Sequence, residues 1–207
     1  MVSYDLSHLT QPDDEAVIGP VQDTEALFLY AVVRGMRMRR VLEIGGLSGY
    51  SAKNFLAALP ADGVMYTVDI APVPQASPNH RVIVKDARAL DASDVDDEAL
   101  DMIFFDCHEY DVQMTVFDRL ESRGIITDST VVALHDTNVH PHQTVPWAYE
   151  IGGGGWVHQK AERDMTNELV RRGYHAFNLH TPVHRHDETM PYRHGVTIAQ
   201  KFSPLVT

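Results

Sequence analysis

One cysteine, a shortage of basic side chains and the absence of any long apolar run set the first limits on this chain of 207 residues. Cys107 alone cannot close an internal disulfide, and a zinc site built on thiolates would need several cysteines. Lys and Arg number 17 against 29 Asp and Glu, a formal charge of −12. Such an acidic surface repels phosphate backbones, so nucleic acid is not an expected partner. No stretch reaches the roughly 18 apolar residues that cross a bilayer. The opening Met1-Val2-Ser3-Tyr4-Asp5 lacks the basic segment and apolar run of a secretory signal. These absences predict a cytoplasmic protein, without membrane association, that acts on a small molecule. The length suits one domain, residues 1–207, with 1–23 as an N-terminal extension. What the chain has in quantity is histidine, 12 in all. Most lie beyond Cys107, which directs the search for metal or proton-transfer chemistry to the second half.

Hydrophobic patterning and breakers predict alternating strands and helices. Helices are expected over Thr24 to Arg39, Ser48 to Ala58, Asp111 to Glu121 and Ala161 to Arg172. Strands are expected over Arg40 to Ile44, Gly63 to Asp69, Arg81 to Asp86, Asp101 to Asp106, Thr130 to His135, Tyr174 to His180 and Gly195 to Lys201. Between Ile70 and His80, the prolines at 72, 74 and 78 argue against a crossover helix, because proline lacks an amide donor and clashes inside a helix. Pro141 to Gly155, with Pro146 and the run Gly152 to Gly155, reads as a flexible loop. Residues 138–159 are expected to form a variable lid over the acceptor. Strands interleaved with helices in this way predict an α/β fold, an open and mostly parallel sheet with helices on both faces.

In such sheets ligands bind at the carboxyl ends of the strands, near the point where strand order reverses. The residues there are Glu43 to Gly49, Asp69, Asp106 and Asp136. The turn Glu43-Ile44-Gly45-Gly46-Leu47-Ser48-Gly49 fails the dinucleotide pattern G-x-G-x-x-G, because Leu47 stands where the second glycine should be. It fits acid-x-G-x-x-x-G instead. A carboxylate beside that turn repels a pyrophosphate and suits a cationic aminoacyl group. Asp69 closes the second strand, where an acid commonly takes the ribose hydroxyls, and Asp86 follows the third, within reach of an adenine.

Val41 to Ser51, Val68-Asp69, Asp101 to Asp106 and Leu134-His135-Asp136-Thr137 together resemble the class I S-adenosylmethionine-dependent methyltransferases. The likeness is nearest to small O-methyltransferases of the catechol and caffeoyl-coenzyme A type and to related natural-product methyltransferases, from about Thr24 to Lys201. It implies a Rossmann-like, seven-stranded sheet whose last strand is antiparallel. It implies S-adenosyl-L-methionine as cofactor, lined by Glu43, Gly45, Gly46, Gly49, Tyr50, Ser51, Asp69, Asp86, Ala87 and Asp106. The substrate would be a small hydroxylated compound, a secondary metabolite or another aromatic or sugar-like molecule.

Asp106 and Asp136 offer two hard oxygen ligands, which suit Mg2+, Ca2+ or Mn2+. The resemblance implies a divalent ion there, Mg2+ first among them, that holds a substrate with vicinal oxygens. Thr137 falls where the family usually has Asn or Asp, so a neutral hydroxyl becomes the third ligand and weak metal affinity is expected. Glu109 replaces a lysine often found three residues after the first aspartate. His108 is then the expected general base, acting beside Asp106, since imidazole takes a proton near neutral pH. A mixed His/Asp site drawing on His135, His140 and His142 is the alternative. His184 and His186 are expected to be solvated or to face substrate. Trp147, Tyr149 and Trp156 are candidates for a lid packing a planar substrate, with a homo-oligomer supplying missing pocket walls. The competing functions are a nicotinamide-dependent oxidoreductase and a non-methylating protein that kept the cofactor fold.

Overall fold

Strand alternation builds the protein outward from its sheet in two opposite directions. The computed structural model describes residues 21, 23–137, 148–151, 155–158, 161–179 and 195–201. Among them, β1 (Arg40–Ile44), β2 (Val64–Asp69), β3 (His80–Val84), β4 (Met102–Phe105), β5 (Val131–Leu134), β8 (Tyr174–Leu179) and β9 (Val196–Lys201) form one sheet in the order β3-β2-β1-β4-β5-β9-β8. The first five pair in parallel, and β9 runs antiparallel to both β5 and β8. This is the expected seven-stranded sheet with its last strand reversed.

Each central strand sends alternate side chains to opposite faces. Val41, Met65, Met102, Phe104, Val131 and Ala133 pack on one face with α1 (Asp23–Gly35) and α2 (Tyr50–Ala58). Leu42, Ile44, Tyr66, Val68, Ile103, Phe105, Val132 and Leu134 pack on the other with α3 (Tyr110–Ser122) and α4 (Ala161–Arg171). Both faces are dry, which is why these strands read as continuous apolar runs. The same parity puts Glu43 within β1, and Asp106 and His135 just past β4 and β5, on the α1/α2 side.

Three sequence expectations change. The first helix stops at Gly35, short of Arg39. Arg37 adopts φ 57°, Met38 N donates to Val33 O at 3.0 Å and Arg37 N to Arg34 O at 3.3 Å. This is a Schellman closure, sealed by contact within the cluster that buries both Val33 and Met38. The stretch read as a loop from Pro141 to Gly155 carries a strand: β6 (Ala148–Ile151) pairs antiparallel with β7 (Gly155–His158), Tyr149 opposite Val157 and Glu150 opposite Trp156. The helix expected from Ser48 starts at Tyr50, after Gly49 takes φ 73°. No helix forms between β2 and β3, as the prolines demand. Trp147, His140, His142, His184 and His186 lie outside the described residues. Among the described residues, no helix is long and apolar enough to cross a membrane.

The core below the strand ends depends on Phe104, fully buried and set edge-to-face against Phe55 of α2 with centroids 5.3 Å apart. Replacing Phe104 with Ala is expected to cost about 3–5 kcal/mol, read as a lower urea midpoint at unchanged slope.

Candidate active site

The ladder hydrogen bonds continue one residue past the strands and line up the chemistry. Gly45 N donates to Val68 O at 2.9 Å, Asp106 N to Ile44 O at 2.9 Å and His135 N to Phe105 O at 3.0 Å. The sequence order reverses between β1 and β4, so this row sits at the switch point where such sheets bind ligands. Gly45, at φ 95°, lies so close to β4 that an added Cβ would stand 2.5 Å from the Asp106 carbonyl oxygen. A Cβ on Gly46 would meet Thr67 Cγ2 at 2.3 Å. Gly45 and Gly46 are therefore required by the protein's own packing.

Asp69 pins the turn. Its Oδ2 accepts from Gly46 N at 2.9 Å and Leu47 N at 3.1 Å, and its Oδ1 from Ala71 N at 2.9 Å. Leu47 is held at φ 40°, a left-handed conformation that a branched side chain adopts only under constraint. Beyond the turn α2 begins at Tyr50 and Ser51 with no side-chain cap and no acid in its first turn. Such an amino end suits a carboxylate.

Glu43 lies beneath the turn, fully buried, with Oε1 accepting from Ser51 Oγ and Oε2 from Thr67 Oγ1 at 2.8 Å. Thr67 Oγ1 is also 2.8 Å from His80 Nε2, and His80 Nδ1 accepts from Ala76 N at 3.1 Å. That acceptor role fixes the Nε2–H tautomer of a neutral imidazole, consistent with burial lowering the His80 pKa. Burial pushes the Glu43 carboxyl up to about 8, against the two hydroxyl donors and with help from Asp106 and Asp69. Asp86, by contrast, is exposed, caps a short 3-10 turn through Arg88 N at 2.8 Å and faces the Arg88 guanidinium at 3.6 Å. Ala87 beside it is buried.

At the ends of β4 and β5 the carboxylates of Asp106 and Asp136 meet His108. Nε2 of His108 is 3.9 Å from Asp106 Oδ1 and 3.5 Å from Asp136 Oδ2. One ligand atom from each of the three falls within 4.8 Å of the others. Asp136 sits at φ 56°, so the backbone is bent to present it. Thr137 Oγ1 is buried without a hydrogen-bond partner. Two carboxylates and an imidazole gathered this closely, with an unsatisfied hydroxyl on the residue after Asp136, fit a divalent cation, whose shell such donors fill. Glu109 points elsewhere, pairing with Arg88 at 2.6 Å.

Two imidazole–carboxylate pairs flank this cluster, and both acids come from outside the motifs. His108 Nδ1 is 2.8 Å from Glu162 Oε1 of α4. His135 Nδ1 is 2.9 Å from Asp106 Oδ1, and its Nε2 is 3.1 Å from Glu25 Oε2 of α1. Burial lowers the affinity of both rings for a proton, but the surrounding carboxylates outweigh it and raise both pKa values, that of His135 well above its usual range. Both nitrogens of His135 are thus engaged, which makes it a brace for Asp106. Glu25 also accepts from Gly195 N at 2.5 Å, and Gly195 O accepts from Thr137 N at 3.2 Å. Sequence reading passed over Glu25 and Glu162. The available signal was their position: each stands within the buried stripe of an amphipathic helix, beside Ala26 and Leu29 or Ala161 and Met165, where a carboxylate must have a partner.

The family model described as O-methyltransferase matches residues 5–113. No curated protein matches the chain. Solved structures share its fold. The Streptomyces achromogenes O-methyltransferase involved in tomaymycin synthesis, in complex with SAM, is 17% identical over 89% of this chain and 82% of its own, at a TM-score of 0.57. A Bacillus cereus O-methyltransferase in complex with SAH is 16% identical over 90% and 84%, at 0.60. An SAH-bound methyltransferase of Podospora anserina is 15% identical over 89% and 81%, at 0.62.

The raised Glu43 carboxyl has a consequence for stability. Its folded value of about 8 exceeds the ordinary 4.5, so its stabilising contribution is complete below about pH 4.5 and is lost as pH rises toward 8. Glu43→Gln, which keeps the shape without the charge, is expected to gain melting temperature relative to wild type between pH 5 and pH 8.5. A difference that stays flat across this range would show the carboxylate to be ionised throughout.

Proposed function

The chain belongs to the O-methyltransferase family and is a class I, S-adenosylmethionine-dependent methyltransferase, and from that premise we propose that it methylates a hydroxyl of a small metabolite with divalent-metal assistance. The observation that supports this reading is the close approach of the glycine turn to the Asp106 carbonyl, which puts the bend proposed for the nucleoside beside a pair of carboxylates. The family assignment also removes the nicotinamide alternative.

In this reading the methionine carboxylate of the cofactor meets the uncapped start of α2 at Tyr50 and Ser51. Its sugar lies over Gly45, Gly46 and Gly49, with hydroxyls directed to Asp69. Asp86 and Ala87 border the adenine, and Asp106 faces the ammonium group. Glu43 acts from beneath, through the Ser51 and Thr67 hydroxyls it holds. Asp106, Asp136 and Thr137 would hold the cation, Mg2+ in the first instance; when bound it supplies a Lewis acid that lowers the pKa of the acceptor hydroxyl. Asp106 and His108 border the place where that hydroxyl loses its proton. The acceptor oxygen then forms a bond to the methyl carbon as the sulfur–carbon bond breaks, leaving S-adenosylhomocysteine and a proton released to solvent. The remaining acceleration comes from holding oxygen, carbon and sulfur in line. A planar acceptor with vicinal oxygens, of the kind found among secondary metabolites, suits paired carboxylate ligands.

Calorimetry with S-adenosylmethionine tests the cofactor placement. Asp69→Ala removes charge-assisted hydrogen bonds worth about 1.5–3 kcal/mol, a loss of roughly 10- to 100-fold in affinity. Binding as tight as wild type would put the nucleoside elsewhere. For the metal, excess chelator is expected to abolish methylation across a panel of catechols and Mg2+ to restore it. Undiminished turnover in metal-free protein would remove the cation from the mechanism and leave the cofactor assignment standing.

A further inference from the structure

We infer that His108 is a direct ligand of the divalent ion, with Glu162 of α4 as its positioning residue, so that the site is an Asp/His/Asp centre suited to Mn2+ and similar borderline metals ahead of Mg2+. The inference rests on the metal-assisted reading above and deepens it, since two carboxylates and a hydroxyl would form an all-oxygen set.

Three observations carry it. First, at metal–ligand lengths of about 2.1 Å, donor atoms stand about 3 Å apart in cis and about 4.2 Å apart in trans. The His108 Nε2 separations of 3.5 Å from Asp136 and 3.9 Å from Asp106 fall between those values. Second, the ring is oriented for this task. His108 Nδ1 is 2.8 Å from Glu162 Oε1, on a side chain that is 1% exposed, so the other nitrogen faces the two aspartates. A ligating histidine characteristically gives its remote N–H to such a carboxylate, which fixes the tautomer and raises ligand basicity. Glu162 is itself steadied by Gln113 Nε2 at 3.3 Å, whose amide also donates to Cys107 O at 2.6 Å in the loop that carries His108. Third, Thr137, which directly follows Asp136 and is 3% exposed, has a buried hydroxyl without a hydrogen-bond partner. Imidazole nitrogen favours transition metals over Mg2+, which demands oxygen.

Mn2+ titration of the full chain saturated with S-adenosylhomocysteine, followed by electron paramagnetic resonance and spin-echo modulation, tests the assignment. The bound Mn2+ is expected to show nitrogen coupling that His108→Asn removes while the His135 brace is intact. Glu162→Ala is expected to weaken Mn2+ binding 10- to 100-fold without changing S-adenosylhomocysteine affinity, and Glu162→Gln, which retains an acceptor oxygen, to restore most of it. Mn2+ is expected to outcompete Mg2+ at equal concentration. Bound Mn2+ without nitrogen coupling, or coupling that survives His108→Asn, overturns the inference and leaves metal-assisted methylation standing. No binding of either cation overturns both, while cofactor affinity remains the independent measure of the nucleoside site.

Discussion

The close approach of Gly45 to the Asp106 carbonyl fixes the spacing between the glycine turn after β1 and the carboxylates that follow β4 and β5. A main-chain contact of this kind is stiff, because both partners are already locked into the sheet through Gly45 N to Val68 O and Asp106 N to Ile44 O. No side chain other than hydrogen fits at Gly45. Group transfer loses efficiency steeply when reacting atoms drift by an ångström. A turn and an acid joined by backbone, with no flexible side chain between them, hold that tolerance without help from a ligand.

Around this joint the protein buries charge that its core would otherwise reject. Glu25, Glu43, His135, Asp136 and Glu162 are each at most 2% exposed. An unpaired buried ion costs several kcal/mol, and pairing recovers that cost only when the hydrogen bonds are complete. Here the partners come from across the fold: Glu25 of α1 meets His135 just after β5, and Glu162 of α4 meets His108 in the loop after β4. Left-handed backbone at Leu47 and Asp136 adds local strain in the same place. Buried acids and imidazoles gathered at one end of one sheet mark that end as the candidate working one.

The opposite end of the sheet shows what ordinary charge looks like in this protein. Arg40 donates to the Tyr66 hydroxyl and to Val95 O, both at 2.7 Å, and Tyr66 donates to Asp96 at 2.7 Å. Arg40 and Arg81 also lie over the Tyr66 ring. Cations and acids there pair with each other, Arg40 and Arg81 both with Asp96, and the assembly fastens the chain. At the carboxyl ends carboxylates crowd together around imidazoles, an arrangement that favours a positively charged ligand.

The order of strands and helices, the two-faced apolar sheet, the glycine turn and the acids closing β2, β4 and β5 were all legible along the chain. Periodicity, breakers and strand-end position are local properties, and parallel strands buried on both faces announce themselves as apolar runs. The hairpin of β6 and β7 escaped because its glycines mask short strands. What only the tertiary structure decided was which groups meet. Glu162 reaches His108 across 54 residues and Glu25 reaches His135 across 110, distances over which no local pattern constrains a partner. Likewise Glu43 is an acid beside a turn in one dimension and a buried carboxyl under two hydroxyls in three. Its pKa, and the placing of His108 among three carboxylates, follow from the low dielectric and the neighbours that folding imposes.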